Sequence, residues 1–261
     1  MLPIDLEGKV AIVTGSTQGI GLGVALVLAQ AGCDIAGCGM SDAKSIKAKN
    51  FRNRINEIGK KAFYKQIDIK SNEQIEAFIE DAIKTFGKID ILISNAGKNM
   101  FTSPEACEGP FWDENMELNL KSHWMVAKAC YVQLKKNRGT VILMTSNHAY
   151  ATLANCFPYN VAKAGINGLV NALAVQWGPE VRTVGLAPGF IKTEGGEEWF
   201  ESFPDPEEKR KEVINIHPVK KLGSIEEVGA FCAFLCSDFA GFINGTTYLM
   251  DGGRSAVMQD I

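Results

Sequence analysis

The 261-residue chain predicts an α/β fold built on a parallel sheet covered by helices on both faces. Two observations carry this. Short β-rich runs alternate with segments of helical period along most of the length, the signature of βαβ units. The strand candidates VAIV, IDILI and TVILMT are almost continuously apolar, as strands buried on both faces must be.

The elements follow in order. KVAIVTG (9–15) is the first strand, and GIGLGVALVLAQAG (19–32) the helix that returns from it. CDIAGCG (33–39), SIKAKNFRNRINEIG (45–59), KAFYKQID (61–68), SNEQIEAFIEDAIKTFG (71–87) and IDILISNAG (89–97) repeat the alternation of strand and helix. A long helix is expected around 113–136, a strand at 140–145, a helix opened by Pro158, a strand at 181–187, a helix at 224–236 and a last strand in TTYLM. The interruption is 190–218, with two glycines, three prolines and a mixed charge run; it reads as a mobile lid. Trp199 and Phe200 give that segment something apolar to close with, although such a charge run is also what a solvated helix face looks like. No repeat or linker divides the chain, so residues 1–261 form one domain.

Composition limits the partners. The formal net charge is -3 and the pI about 5.7, which leaves no broad basic field for nucleic acid or an anionic membrane surface. A small-molecule substrate is the better expectation. The seven cysteines at 33, 38, 107, 130, 156, 232 and 236 lack the paired spacing of a zinc site and read as free thiols, so no metal is expected. MLPIDLEGKVAIVTG has no basic n-region or apolar h-region, and no run is long enough to span a membrane, so a cytoplasmic location is expected.

Three polar residues are spaced for chemistry. Tyr159 and Lys163, four apart, share a helix face, and Ser146 lies thirteen residues upstream of the tyrosine. An ammonium beside a phenol favours phenolate and lowers its pKa toward working pH, which makes tyrosine a usable general acid or base. A surface Tyr–Lys pair has the same spacing. Upstream, Thr14-Gly15-Ser16-Thr17-Gln18-Gly19-Ile20-Gly21 joins the first strand to an amphipathic helix. Glycines there let backbone approach a ligand, and the helix N-terminus presents free N–H groups to a pyrophosphate.

TGSTQGIG, Ser94-Asn95-Ala96-Gly97, Asn119, Ser146, Tyr159-x-x-x-Lys163 and Pro188-Gly189 occur in the order and spacing of the classical short-chain dehydrogenases/reductases, which the whole chain resembles. The resemblance implies a single Rossmann-type three-layer domain with a seven-stranded parallel sheet, NAD(H) or NADP(H), and a homotetramer or dimer. It implies that Tyr159 is the acid/base, that Lys163 lowers the tyrosine pKa and binds the nicotinamide ribose, that Ser146 holds the substrate oxygen, and that Asn119 organises a water relay. Asn119 as a helix-kink residue and Ser146 as a strand-end hydroxyl are the plainer readings.

By the same resemblance Gly15, Thr17, Gln18, Gly19, Ile20 and Gly21 hold the pyrophosphate, and Asp68 and Ile69 lie beside the adenine. Asn95, Ala96 and Gly97 lie by the ribose, while Pro188, Gly189, Ile191 and Thr193 approach the nicotinamide. Asp68 also suits a strand-end cap. Ser94 and Val184 stand where the family usually has asparagines, which affects packing more than chemistry. The cofactor is read at the end of the second strand, Cys38-Gly39-Met40-Ser41-Asp42. Neutral Gln18 and acidic Asp42 favour NAD; Lys44 and Lys47 leave NADP open.

For the substrate, TGSTQGIGLGVALVLAQAG, GMSD, AFLCSD and MDGG are similar to the bacterial D-3-hydroxybutyrate dehydrogenases, with pocket positions at Asn99 and His148. Their carboxylate-gripping lysine is Cys156 here, and a thiol cannot replace an ammonium. Ser-x-His and the Asp-Pro-Glu of 205–207 resemble the glucose and sugar 1-dehydrogenases instead. Asn99, Asn147, His148, Asn155 and Glu194 would suit a sugar, polyol or small hydroxy compound. A 3-oxoacyl reductase using NADPH lacks its arginine beside Gly19, and a non-catalytic dinucleotide sensor would have no need of the four catalytic candidates.

Overall fold

A computed structural model describes residues 4–258. The first half runs β1 (Val10–Thr14), α1 (Gly19–Gln30), β2 (Asp34–Gly39), α2 (Ile46–Glu57), β3 (Ala62–Gln66), α3 (Asn72–Phe86), β4 (Ile91–Ser94), β5 (Phe101–Thr102), α4 (Gly109–Met116) and α5 (Ser122–Asn137). The second runs β6 (Thr140–Met144), β7 (Phe157–Pro158), α6 (Tyr159–Trp177), β8 (Arg182–Pro188), α7 (Glu194–Glu201), α8 (Pro206–Asn215), α9 (Ile225–Cys236) and β9 (Thr247–Met250).

Seven strands make one parallel sheet in the order β3-β2-β1-β4-β6-β8-β9. Strand alternation divides the core into two layers. Ala11 and Val13 of β1 face the side covered by α1 and α9, whereas Ile12 faces the side covered by α3, α5 and α6. Close packing of α1 on α9 depends on small residues: a Cβ on Gly23 would sit 2.4 Å from that of Ile225. The chain reverses its direction of travel between β1 and β4, and the crevice at the carboxyl ends of these strands is where such sheets bind ligands.

Helix starts are set by side chains. Ser45, Ser71, Thr193, Asp205 and Ser224 each accept a backbone N–H at the start of α2, α3, α7, α8 and α9. Gln18, which precedes α1, makes no such bond, leaving that terminus open to another acceptor.

One expectation is corrected. The helix expected around 113–136 is two helices, α4 and α5, joined by a π-helical turn over Glu117–Lys121. The cause is Asn119, whose amide is engaged with the Lys98 backbone in both directions. Segment 190–218 folds as α7 and α8 around its own aromatic cluster of Phe190, Trp199, Phe200 and Phe203. Phe200 is wholly buried there, under the Arg210 guanidinium 4.5 Å from its ring centre, so of the two closing residues only Trp199 stays exposed. The charge run is the solvated face of α8, tied by Lys209–Glu212 and Lys211–Glu208 pairs.

All seven cysteines are unpaired, and no described helix is long and apolar enough to cross a membrane.

Candidate active site

The end of β6 and the start of α6 bring the three chemical residues together. Tyr159 opens α6 and Lys163 follows one turn later; both are buried, with the lysine Nζ 5.6 Å from the tyrosine ring centre. Ser146 follows β6, with its hydroxyl near enough to the phenol to favour phenolate. The Lys163 Nζ donates to the Met144 carbonyl at 3.0 Å, and Thr145 Oγ1 donates to the Lys163 carbonyl at 2.6 Å, so β6 fixes both ends of this residue.

The electrostatics differ from the simple expectation for the pair. Burial pushes the Tyr159 phenol up to about 12 and the Lys163 ammonium down to about 7. Desolvation penalises the charged form of each group, and a lysine that has lost its proton above neutrality exerts no pull when the phenol titrates. Without cofactor, burial is the dominant influence on the tyrosine pKa.

Asn119 sits in the π-helical turn, in keeping with its reading as a helix-kink residue. Its Nδ2 donates to the Lys98 carbonyl at 3.0 Å and to Asn115 Oδ1 at 3.1 Å, while its Oδ1 accepts the Lys98 N–H at 3.0 Å. A Cβ on Gly97 would lie 2.8 Å from Asn119 Oδ1 and 3.5 Å from Lys163 Nζ, so both polar heads border this exposed glycine. Ser94 explains its own departure from the family pattern: its hydroxyl pairs at 2.8 Å with Nδ1 of His123, a fully buried histidine that burial holds neutral. Sequence reasoning missed His123 and Asn115, since nothing in their spacing distinguishes them from other helix residues. Val184 is fully buried core, as its replacement of asparagine implied.

The glycine turn has the shape of a phosphate cradle. Gly15 and Gly19 have φ of +67° and +54°, and a Cβ on Gly21 would fall 2.2 Å from the Gly15 carbonyl oxygen. Only bare backbone fits. With the uncapped start of α1 and a buried, unpartnered Ser16 hydroxyl, these residues fit the dinucleotide. Thr14 Oγ1 accepts the N–H groups of Asn95 and Ala96 at 2.9 Å, and Asn95 Nδ2 donates to the Thr14 carbonyl at 3.0 Å, tying β4 to the cradle. Ile191 is buried, and the Thr193 methyl would stand 3.5 Å from a Cβ on Gly19, so both border the site. Gly189 is bound to β9 through the Met250 carbonyl at 3.0 Å.

At the adenosine end Met40 is exposed, Thr17 Oγ1 lies 3.2 Å from Ser41 Oγ, and Lys47 reaches Gln18. The Asp42 carboxylate turns to the Lys44 N–H at 2.7 Å. Asp68 accepts the Lys70 N–H at 2.9 Å, the capping role its plainer reading foresaw, with Ile69 buried beside it.

Glu194 is displaced from its expected place. Rather than lining the substrate site, its carboxylate accepts the Gly19 N–H at 3.1 Å, standing in for an anion at the α1 N-terminus. Thr193 caps α7 and aims the next residue into the cradle. Glu194→Gln is expected to lower the KM for the dinucleotide about threefold, as removal of an exposed competing charge is worth under about 1 kcal/mol. An unchanged or higher KM would count against this competition.

His148, Cys156, Ser146 and Tyr159 do converge. The rings of His148 and Phe101 stand 6.0 Å and 5.2 Å from that of Tyr159, and β5 pairs with β7 to hold Phe101 there. His148 bonds Thr152 Oγ1 at 3.0 Å, and burial holds it neutral. Cys156 is buried and its thiol pKa raised by burial, so it is a neutral wall. Asn99 is exposed two residues before Phe101, Asn155 is exposed at φ 63°, and Asn147 lies against Ser146 at 3.4 Å.

A crevice of this geometry defines a dinucleotide-linked oxidoreductase, and comparison with known proteins agrees. Residues 15–255 match the family described as Enoyl-(Acyl carrier protein) reductase. The chain is 32% identical over 252 residues to the 2-dehydro-3-deoxy-D-gluconate 5-dehydrogenase of Pseudoalteromonas atlantica, covering 95% of this chain and 96% of that one. It is 32% identical over 254 residues to the 7alpha-hydroxysteroid dehydrogenase of Escherichia coli, covering 96% and 95%. The aldohexose dehydrogenase of Thermoplasma acidophilum superposes with a TM-score of 0.88 at 26% identity, over 98% of this chain and 97% of that one. The chain belongs to the classical short-chain dehydrogenase/reductase family. It is an enzyme that transfers hydride between an alcohol or carbonyl of a small molecule and a nicotinamide dinucleotide.

Proposed function

We propose that this enzyme is an NAD-preferring dehydrogenase of a secondary alcohol in a sugar, polyol or small hydroxy compound. The observation that carries it is the convergence of Ser146, Tyr159 and Lys163 beside the glycine cradle, under a wall of His148, Phe101 and neutral Cys156.

Residues 15–21 would hold the pyrophosphate, with Glu194 yielding the Gly19 N–H, and Asn95, Gly97, Pro188, Ile191 and Thr193 would frame the ribose and nicotinamide. When bound, the nicotinamide supplies the hydride acceptor. Ser146 holds the substrate oxygen and Tyr159 takes its proton. Lys163 then offers the proton a way out of the buried pocket, since its head and Asn119 border exposed Gly97. In reduction the same neutral phenol donates.

The preference for NAD rests on neutral Gln18, Met40 and Ser41 at the adenosine end; Lys47 is the cation that would reward a 2′-phosphate. The kcat/KM for NAD is expected to exceed that for NADP at least about tenfold, roughly 1.4 kcal/mol. A tenfold preference for NADP would refute the assignment.

Seven unpaired thiols support a reducing, cytoplasmic setting. Exposed Trp124, Val132 and Val175 on α5 and α6, and Leu249 and Phe242 at the β9 edge, support assembly into a homodimer or homotetramer.

A further inference from the structure

Beyond His148 lies a cavity of about 600 Å³, within the range of small-molecule sites. The 147–153 segment, the end of α8 with its following turn, and the turn after β9 line it, leaving it open on one side. Its charges are unbalanced: Arg254 and Lys220 line it, and no acidic residue does. Glu194 is the acid expected at the substrate, and it is instead engaged at Gly19.

Arg254 is placed by design of the turn. Asp251 is buried and accepts the N–H groups of Gly253 at 3.0 Å and Ser255 at 2.7 Å, which forces a short 3₁₀ turn over Arg254–Ala256. Gly253 enters that turn at φ +82°. Among the described residues Arg254 has no carboxylate partner, and its charge reaches His148, whose ring borders Tyr159. The Ser255 hydroxyl, also on the cavity wall, is buried without a partner. Lys220 is held by its Nζ on the Asn215 carbonyl at 2.6 Å, its positive charge uncompensated.

A partly exposed guanidinium with no carboxylate partner is free to take an anion, and its fork matches a carboxylate through two parallel hydrogen bonds. Asn147, Asn215 and Ser255 offer hydrogen-bond partners for substrate hydroxyls on a wall that Leu153, Ile216 and Val257 make partly apolar. We propose that the substrate is a polyhydroxylated carboxylic acid, an aldonate or keto-aldonate, whose carboxylate is gripped by Arg254 with Lys220 in support while its reacting carbinol lies at Tyr159. This rests on the proposed alcohol dehydrogenase function and names its substrate class.

The test compares gluconate, sorbitol, glucose and glucose 6-phosphate as substrates with NAD, for wild type, Arg254→Ala and Arg254→Lys. Wild type is expected to favour gluconate over sorbitol at least about tenfold in kcat/KM. Arg254→Ala is expected to raise the gluconate KM at least about tenfold with a smaller change in kcat, and Arg254→Lys to recover part of the loss. Turnover of sorbitol or glucose but not gluconate overturns this inference and leaves the dehydrogenase function standing; preference for glucose 6-phosphate overturns the carboxylate in favour of a phosphate. If no compound turns over, the function fails instead, and calorimetric titration of gluconate into the protein with NADH decides the cavity alone: binding weakened by Arg254→Ala supports it, and no binding to wild type overturns it.

Discussion

Replacing Tyr159 by phenylalanine is expected to lower kcat/KM by about 10³-fold or more, within the span that a positioned general acid or base contributes. The substitution isolates one oxygen. The Phe ring keeps the edge contacts with Phe101 and His148, and the buried site loses only the hydroxyl that meets Ser146, so stability and dinucleotide affinity are expected to change little. Since burial holds the phenol near 12 before cofactor binds, the oxidation rate of wild type is expected to climb with pH as phenolate becomes accessible. The variant loses this dependence. Activity within threefold of wild type would remove Tyr159 from the mechanism.

Lys163→Met is expected to destroy activity and yet stabilise the cofactor-free protein. The ammonium is held at about 7 in the fold against an ordinary 10.5, so between those values the unfolded chain binds more protons than the native one. This group's contribution to stability therefore rises with pH across that window, and its penalty is complete below about 7. At pH 7 the penalty approaches about 4 kcal/mol, taking about 1.4 kcal/mol per pKa unit. Loss of the bond to the Met144 carbonyl offsets part of it, leaving a net gain of about 2 kcal/mol or more. Denaturant unfolding at about pH 6, 8 and 10 checks the sign: the advantage of Met shrinks as pH rises. A variant less stable than wild type at neutral pH would mean that the lysine is not buried at a cost. Such stability surrendered at one residue is what a functional position displays.

The sheet, the glycine cradle and the Tyr159–Lys163 pair were readable in the sequence because each rests on local periodicity or on spacing within one element, whereas Ser146 and Asn119, on other elements, were named through the family resemblance. What escaped depends on side chains meeting across the fold. The π-helical turn at Asn119 is fixed by the Lys98 backbone, 21 residues away, and no helical period announces it. Glu194 meets the Gly19 N–H, 175 residues away in the chain, a contact that no local pattern announces. Spacing put Lys163 beside Tyr159 correctly, yet it carries no information on burial, and burial reverses the pKa expected for the phenol. Arg254 follows two glycines in a segment without a pattern, and only the closure of the turn after β9 over the 147–153 segment reveals its setting.

The central claim is that Ser146, Tyr159 and Lys163 oxidise a polyhydroxylated secondary alcohol with a bound nicotinamide. Initial rates of reduced-nicotinamide formation, measured with NAD and NADP over a panel of sugars, polyols and sugar acids for wild type and Tyr159→Phe, test it most directly. The account predicts turnover of at least one such compound by wild type, with NAD preferred, and its near-complete loss in the variant. A wild type that turns over none of them with either cofactor, or a variant that keeps the wild-type rate, would contradict it.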